Sequence, residues 1–275
     1  SFQARYAKLR PLTREGFRQA MIPYDYQNLA ELFNKVKPFS YRKIKEECLD
    51  LPPKIHTRRE LSMSTQQLEI YNQLKKYARA VLLDKKTSYT NKLTEILRLH
   101  QVTCGFFKSD TGEIQELNNP KLKELVNILE EMDGKVIIWA NYIYNIEQII
   151  KTLKDKFPFD RTVSVYGAVS VADRDKAVEN FQKDPYTKFL VGNPATGGYG
   201  LNLTEADTVI YYSNSYDLTV REQSEDRAHR KGQTKSVTYI DLVMTGTIDE
   251  FILKALNDKK RMSAQVLGEE VLNFL

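Results

Sequence analysis

A chain of 275 residues is long enough for one large domain or two smaller ones with a sizeable core. Its 41% hydrophobic and 28% charged residues are typical of a soluble globular protein, and no apolar run approaches the ~20 residues of a membrane helix. We therefore expect an intracellular protein, in a bacterial cytoplasm, a phage-infected host or a nucleus, with no membrane partner.

The net charge of +5 is unevenly distributed. Residues 1–118 hold 21 basic and 13 acidic side chains, and residues 119–275 hold 20 and 23. A basic half is typical of a protein that meets a polyanion, although a solvated, Lys-rich helical surface would give the same excess. Cys48 and Cys104 are far apart and lack the spacing of a metal site, so we interpret them as reduced, mostly buried thiols and predict no metal ligands.

Amphipathic helices are predicted between about residues 29 and 100, because apolar residues recur there at intervals of three and four. An extended segment at 51–62 interrupts them, since its two adjacent prolines prevent a helix from starting and the residues that follow alternate like a strand. Ser64 followed by Gln67 has the pattern of a capping box that opens the next helix.

Residues 104–119 are predicted to form a loop or a hairpin with its turn at 109–112, and helices alternate with short apolar strands after Pro120. The predicted strands are 135–139, 162–166, 188–191, 208–212 and 237–243. The predicted helices are 121–131, 141–156, 170–182, 218–231 and a last one from about 248. Strands regularly separated by helices indicate an α/β fold with a parallel sheet and helices on both faces.

Sites in open parallel sheets form at the carboxyl ends of the strands. The predicted loops at that edge are 139–142, 165–170, 192–203 and 212–217. The third is the richest, because Gly197, Gly198 and Gly200 let the backbone approach a ligand and present N–H groups that suit phosphate oxygens. A tight loop with no chemical role would have the same composition.

The segment between Asp217 and Gly232 is predicted to be a helix, with these two residues as its N-cap and C-cap. Gln223, Arg227 and Arg230 fall on one stripe, which would ordinarily hold apolar residues packed on the sheet. Burying them there is unfavourable unless they meet an anion or carboxylates. An ion pair with a neighbouring aspartate is the simpler alternative.

Residues 223–233 read Gln-x-x-Asp-Arg-Ala-His-Arg-x-Gly-Gln and resemble motif VI of the Swi/Snf-type translocases, within helicase superfamily two. Residues 196–203 resemble motif V of that family, and 136–142 resemble its motif IV. The resemblance extends from about Tyr24 to Leu256, and motif VI is its most specific part.

Further segments carry the resemblance. Residues 51–54 and 66–71 look like the family's stretch between its two lobes, 166–182 like the segment after motif IV, and 245–250 like the end of its core. The chain departs from the family near 216–218, where Trp-Asn-Pro is usual, and at Lys231, where Ile is common.

The resemblance implies the second, C-terminal RecA-like lobe of an ATP-driven double-stranded-DNA translocase. This lobe would span 119–257, between a mostly helical protrusion at 1–118 and a helical extension at 258–275. ATP with Mg²⁺ would be bound mainly by a first lobe, because neither its Gly-x-x-x-x-Gly-Lys-Ser/Thr loop nor its Asp-Glu-x-His string occurs in these residues. We therefore expect a monomeric fragment that begins after the first lobe, is inactive alone, and has double-stranded DNA and that lobe as partners.

The resemblance also assigns roles to individual residues. The implied catalytic group is Gln223, Arg227 and Arg230, with Arg230 as the arginine finger. The implied nucleotide contacts are Gly198, Gly200, Asn202, Arg227 and Arg230. The implied DNA-backbone contacts are Asn141, Tyr166, Gly167, Arg174 and Thr196. We interpret His229 as a packed or capped histidine rather than a catalytic one.

Two other functions are compatible with the sequence. The chain could be a non-catalytic nucleic-acid-binding or regulatory module that retains the lobe fold, or a lobe of a helicase that separates strands. The arginine pair argues against the first alternative, because binding alone does not require both in one stripe.

Overall fold

The computed structural model describes residues 2–12, 20–40, 48–83, 89–109, 111–196 and 200–267. The N-terminal part contains elements that the sequence pattern did not predict, a short helix and an antiparallel hairpin. Its helices are α1 (Phe2–Tyr6) and α2 (Leu29–Val36), and its strands are β1 (Ala7–Leu12) and β2 (Ala20–Tyr26). A salt bridge from Arg5 to Glu31 (2.8 Å) connects α1 with α2, and Lys35 pairs with the same carboxylate within α2.

The predicted extended segment forms strand β3 (Lys54–Leu61), and two long helices follow it, α3 (Thr65–Leu83) and α4 (Tyr89–Thr103). The predicted capping box is present, because the Gln67 N–H donates to Ser64 Oγ (3.2 Å) and the Ser64 N–H donates to Gln67 Oε1 (3.1 Å). Residues 104–119 contain a hairpin, whose strands are β4 (Phe106–Lys108) and β5 (Ile114–Glu116).

A six-stranded sheet forms the centre of the rest of the chain. Beside β3, its strands are β6 (Lys135–Trp139), β7 (Arg161–Val165), β8 (Thr187–Gly192), β9 (Ala206–Tyr211) and β10 (Val237–Met244). The strand order is β3-β10-β9-β6-β8-β7, and every neighbouring pair is parallel. The predicted parallel α/β fold is confirmed.

Helices cover both faces of this sheet. They are α5 (Pro120–Glu130), α6 (Ile143–Lys156), α7 (Val171–Lys183), α8 (Leu218–Ala228) and the last helix α9 (Ile248–Leu267). Residues of β6 alternate between two buried clusters: Val136 and Ile138 pack with α5 and α6, and Ile137 and Trp139 pack with α7 and α8. All four side chains are fully buried, as expected for a central strand of a parallel sheet.

The helix boundaries agree with the sequence except at two ends. The helix predicted from residue 170 begins with Ser170 as its N-cap, since Ser170 Oγ accepts from the Asp173 N–H (3.2 Å). Asn141 does not cap α6, because that helix begins at Ile143 with Tyr142 at the N-cap position. The other exception, the end of α8, is described with the site.

Strand β3 attaches the N-terminal region to the sheet. It pairs in parallel with β10 along its whole length, so the sheet contains residues from both sides of the predicted boundary at 118/119. A third buried cluster, which includes Tyr71 of α3 and Leu99 of α4, packs against Ile248 of α9. No helix in the described ranges has the length and apolar character needed to span a bilayer.

A buried ion pair joins α5 to α9, and two residues of α4 contact it. Lys121 is fully buried, and its Nζ lies 2.6 Å from Asp249 Oδ2. Thr103 Oγ1 donates to the other oxygen of Asp249 (2.7 Å), and His100 Nε2 lies 3.8 Å from it. His100 Nδ1 is hydrogen-bonded to the hydroxyl of Tyr142 (2.9 Å), so four elements meet at this network.

His100 should make the stability of this chain depend on pH. Burial lowers the pKa of His100 from 6.5 to about 4; Asp249 opposes this shift and Lys121 adds to it. Because the pKa is lower in the folded state, the unfolded state takes up the proton first, and stability present above pH 6.5 is lost as the pH falls towards 4. We expect the free energy of unfolding to fall by about 2 kcal/mol between pH 7 and pH 5 from this group.

Urea unfolding of the chain and of its H100N variant at both pH values measures this effect. The asparagine amide does not titrate, so the variant should lose much less stability on acidification. An equal loss in both proteins would show that His100 is not the responsible group.

The two cysteines differ in burial. Cys104 is buried, as predicted, whereas Cys48 is exposed, and both are free thiols.

Candidate functional site

The loops that follow the parallel strands lie at one edge of the sheet, and Asn193 connects three of them. Its backbone N–H donates to the carbonyl of Val165 at the end of β7 (3.1 Å), and its Nδ2 donates to the carbonyl of Asn141 after β6 (3.0 Å). The Asn141 N–H donates in turn to Ser213 Oγ after β9 (3.0 Å). The predicted loop edge is therefore one hydrogen-bonded surface.

The residues predicted to contact DNA lie on neighbouring loops of this surface. They are Asn141 after β6, Tyr166 and Gly167 after β7, Arg174 in the first turns of α7, and Thr196 after β8. Gly167 is exposed, and a Cβ placed on it would meet nothing within 4 Å. Arg174 Nε donates to the carbonyl of Val169 (2.9 Å), which fixes the guanidinium against the turn that carries Tyr166 and Gly167.

The Gly-rich loop is described on either side of residues 197–199. Gly198, predicted to contact nucleotide, lies outside the described residues. Gly200 has φ +68°, a conformation that favours glycine over other residues, and both it and Asn202 are exposed. Two of the three predicted backbone contacts are therefore accessible to a ligand.

Helix α8 begins as predicted and ends earlier. Asp217 Oδ1 accepts from the Val220 N–H (3.2 Å), so it is the N-cap, but the helix ends at Ala228 and Gly232 (φ +103°) lies in the turn that follows. Arg230 is therefore outside the helix. The buried residues of α8 are Ser224, Glu225 and Ala228, and the Arg221 side chain beside them is only 10% exposed.

The predicted stripe is therefore wrong as a sheet-packing face. Gln223 is exposed, and Arg227 and Arg230 are part-buried at the rim. The error has a physical cause: α8 is bound to the sheet by charged and polar side chains, so its buried face does not have the apolar pattern that reveals such faces in sequences.

Motif V and motif VI contact each other directly. The Leu203 N–H donates to the carbonyl of Arg227 (3.0 Å), and Arg230 Nη1 donates to the carbonyl of Leu201 (3.3 Å). Gln233 Nε2 donates to the carbonyls of Thr204 and Ala206, each at 2.9 Å. The loop at 193–203 therefore contacts Asn141 through its first residue and both arginines through its last three residues.

The two arginines repel each other. Burial lowers the pKa of Arg227, the positive charge of Arg230 lowers it further, and Asp226 opposes both effects. An anion that lies between or above two like charges stabilises them, and triphosphate oxygens accept the bidentate hydrogen bonds that a guanidinium offers.

A buried network that the sequence analysis missed holds α8 on the sheet. Arg221 donates to both oxygens of Asp241 (2.6 and 3.1 Å), to Glu225 Oε1 (2.9 Å) and to Asn214 Oδ1 (2.6 Å). Its guanidinium carbon lies 3.4 Å from the centre of the Tyr211 ring. Burial acts to raise the pKa of Glu225, but Arg221 and then Lys54 outweigh it and lower this pKa to about 2.

His229 is buried and packed, as interpreted from the sequence. Its Nε2 lies 2.7 Å from the carbonyl oxygen of Pro52, and since that oxygen can only accept, Nε2 donates. Within the described ranges, no three or more His, Cys, Asp or Glu side chains are grouped so that they could hold a metal ion.

Comparison with known proteins connects this site to a family. The family described as "Helicase conserved C-terminal domain" matches residues 120–232. YwqA of Bacillus subtilis, whose name describes an ATP-dependent helicase/translocase, is 30% identical over 262 residues, which are 90% of this chain and 28% of YwqA. The chromatin-remodeling ATPase INO80 of Neurospora crassa is 32% identical over 163 residues, which are 58% of this chain and 8% of INO80.

A solved structure extends the likeness to the fold. The Sulfolobus solfataricus SWI2/SNF2 ATPase core in complex with dsDNA is 25% identical with a TM-score of 0.63, and the match covers 87% of this chain and 52% of that one. This chain belongs to the Swi/Snf-type family, as a C-terminal RecA-like lobe. The Swi/Snf-type lobe spans less than a third of the sequence relatives named above.

Proposed function

We propose that this Swi/Snf-type lobe is the second motor lobe of an ATP-dependent translocase that moves along double-stranded DNA without separating its strands. The observation that carries the proposal is that Arg227 and Arg230 both contact residues 201–203 of the Gly-rich loop, Arg227 through its backbone carbonyl and Arg230 through its guanidinium. An ATP molecule held by a first lobe would place its phosphates against this pair.

In this proposal the arginines act on the transferred phosphoryl group. A water molecule attacks the γ-phosphorus in line with the leaving ADP oxygen, and negative charge spreads over the equatorial oxygens. Arg230 stabilises that charge, Arg227 holds the triphosphate, and Gln223 on the exposed side of α8 orients the nucleotide or the helix across the cleft. Gly200 and Asn202 supply contacts from the Gly-rich loop, and we assign Gly198 to the same role.

We assign Mg²⁺ to the first lobe. The described residues of this lobe contain no carboxylate cluster suited to the ion, and its cationic edge suits phosphate oxygens instead. The ion would neutralise charge on the phosphates when bound. No step of the mechanism proposed here depends on a metal ligand from this chain.

The DNA backbone would lie along the loops after β6, β7 and β8, against Asn141, Tyr166, Gly167, Arg174 and Thr196. Such contacts fix the position of the protein on the duplex without reading sequence. The loop from Asn193 to Leu203 touches Asn141 at one end and Arg227 at the other, so it is suited to couple phosphate chemistry to movement on DNA. We expect an intracellular monomer in which ATP closes the lobes and hydrolysis opens them.

The test uses this lobe joined to its first lobe. ATP hydrolysis should be low without DNA and rise on addition of double-stranded DNA. The same protein should displace the third strand of a triplex while leaving a plain duplex intact. Movement along the duplex is enough to displace a third strand but does not separate the two strands of the duplex itself. Unwinding of the duplex would instead indicate a strand-separating helicase, and DNA binding without hydrolysis would indicate a non-catalytic module.

A further inference from the structure

The end of α8 that leads into the arginine pair is held by a segment outside motifs V and VI. This segment, residues 52–54, precedes and begins the edge strand β3. Lys54 Nζ lies 3.3 Å from Glu225 Oε2 and 3.3 Å from Asp226 Oδ1, and the Lys54 side chain is only 25% exposed. The Pro52 carbonyl accepts the hydrogen bond from His229 described above.

The residues of α8 and the following turn that contact the 52–54 segment lie next to the two arginines in the chain. Asp226 directly precedes Arg227, and His229 directly precedes Arg230. Each arginine therefore follows a residue whose side chain is attached to the 52–54 segment. The Arg227 carbonyl accepts a hydrogen bond from the Leu203 N–H, so both the 52–54 segment and the Gly-rich loop hold residues of this short stretch.

Lys54 is suited to this task by its surroundings. Its ammonium group lies between a buried carboxylate, Glu225 at 5% exposure, and a half-exposed one, Asp226 at 48%, and 5.8 Å from the centre of the Tyr239 ring. The Tyr239 hydroxyl donates to the Glu225 carbonyl (2.9 Å), which adds a further contact at the same turn of α8. Without Lys54, two adjacent carboxylates at this turn would lose a shared counter-charge.

We propose that Lys54 is a positioning residue for the arginine pair, which holds the last turn of α8 so that Arg227 and Arg230 reach the triphosphate. This inference rests on the proposed function, since it concerns hydrolysis across the two lobes. Lys54 itself touches neither nucleotide nor DNA in this scheme. Because residues 51–54 resemble the stretch between the lobes, a displacement of that stretch would be transmitted to the pair through Lys54.

The test compares K54M and K54R in the protein that carries both lobes. K54M should lower kcat for DNA-stimulated hydrolysis roughly ten-fold or more, because small displacements of a catalytic group have large effects on rate. The KM for ATP and the affinity for DNA should change less than about three-fold, since the first lobe and the other loops supply most of that binding. K54R keeps the positive charge and a side chain of similar length, so it should retain most of the activity.

K135M is the matched control for a merely structural lysine. Lys135 Nζ donates to the carbonyls of Phe181 and Asp184 at the amino end of the sheet, far from the loop edge along β6. The K135M substitution should lower the melting temperature of the protein without lowering kcat per folded molecule. A fall in kcat with K135M as large as that with K54M would overturn the specific role of Lys54.

A double-substitution cycle separates this inference from the proposed function. If Lys54 acts through the arginines, K54M should have little further effect in an R230A background, whereas independent effects would multiply. Full activity of K54M beside an inactive R230A protein would refute the positioning role and leave the proposed function intact. Full activity of R230A would refute both. If K54M fails to fold, D226N removes one of the two carboxylate partners and should lower kcat in the same direction, and unchanged kcat there would count against the inference.

Discussion

Replacing Arg230 with alanine should lower the kcat for DNA-stimulated ATP hydrolysis roughly 10³-fold or more in the protein that carries both lobes. The guanidinium stabilises charge that develops only in the transition state, so its loss should affect kcat far more than the KM for ATP. Steady-state hydrolysis at saturating double-stranded DNA measures the effect. DNA affinity should be unchanged, because Arg230 lies at the Arg227 end of the loop edge and not among the proposed DNA contacts.

Two variants control for trivial explanations. R161A removes an exposed arginine that pairs with Asp184 (3.0 Å) at the amino end of the sheet, and it should leave hydrolysis unaffected. R230K keeps the charge but not the planar fork, and it should recover only a small part of the rate. Normal hydrolysis by R230A would favour a non-catalytic module over a motor lobe.

Replacing Lys121 with methionine should destabilise this chain by about 3–5 kcal/mol, because it leaves the buried carboxylate of Asp249 without its cation. Lys121 is fully buried and Asp249 nearly so, and the carboxylate links α4, α5 and the start of α9. The free energy of unfolding from urea titration at pH 7 measures the loss. It should be a large fraction of the total stability of a domain this size.

The matched control is an exposed pair of the same residue types. Lys183 and Glu179 lie 2.9 Å apart with side chains that are 76% and 61% exposed, so K183M should have little effect on the free energy of unfolding. The double variant K121M/D249N removes both charges and keeps a polar side chain, so it should recover part of the stability lost in K121M. A loss in K121M no larger than in K183M would show that the buried pair is not a stability determinant.

Much of the sheet could be predicted from the sequence because its strands are short apolar runs separated by amphipathic helices. The strand 135–139 was predicted with both ends correct, and the other four strands differ by one or two residues. The position of β3 in the same sheet was not predicted, because local pattern carries no information about which distant strand a segment pairs with. The N-terminal hairpin was missed for a different reason: each of its strands contains a proline, Pro11 or Pro23, and a proline within a short segment argues against a strand.

The site was predicted less completely than the fold. The resemblance to motif VI led to Arg227 and Arg230, whose roles are proposed above. Arg221 was overlooked although Asp241 gave a signal, because a carboxylate inside the apolar run 237–243 must be paired when the strand is buried. Lys54 had no signal of this kind, since an exposed lysine and an anchoring one look alike in a sequence.

The position of β3 also determines when the lobe can be completed during synthesis. Residues 54–61 leave the ribosome early, but they pair with residues 237–244, which are made near the end of the lobe. Pairing between such distant segments is slow to form because the intervening chain must first be ordered. Strands β6 to β9 can assemble before that pairing, so the Lys54 anchor forms late, and a nascent lobe would have its arginine pair before the segment that orients the pair has joined the sheet.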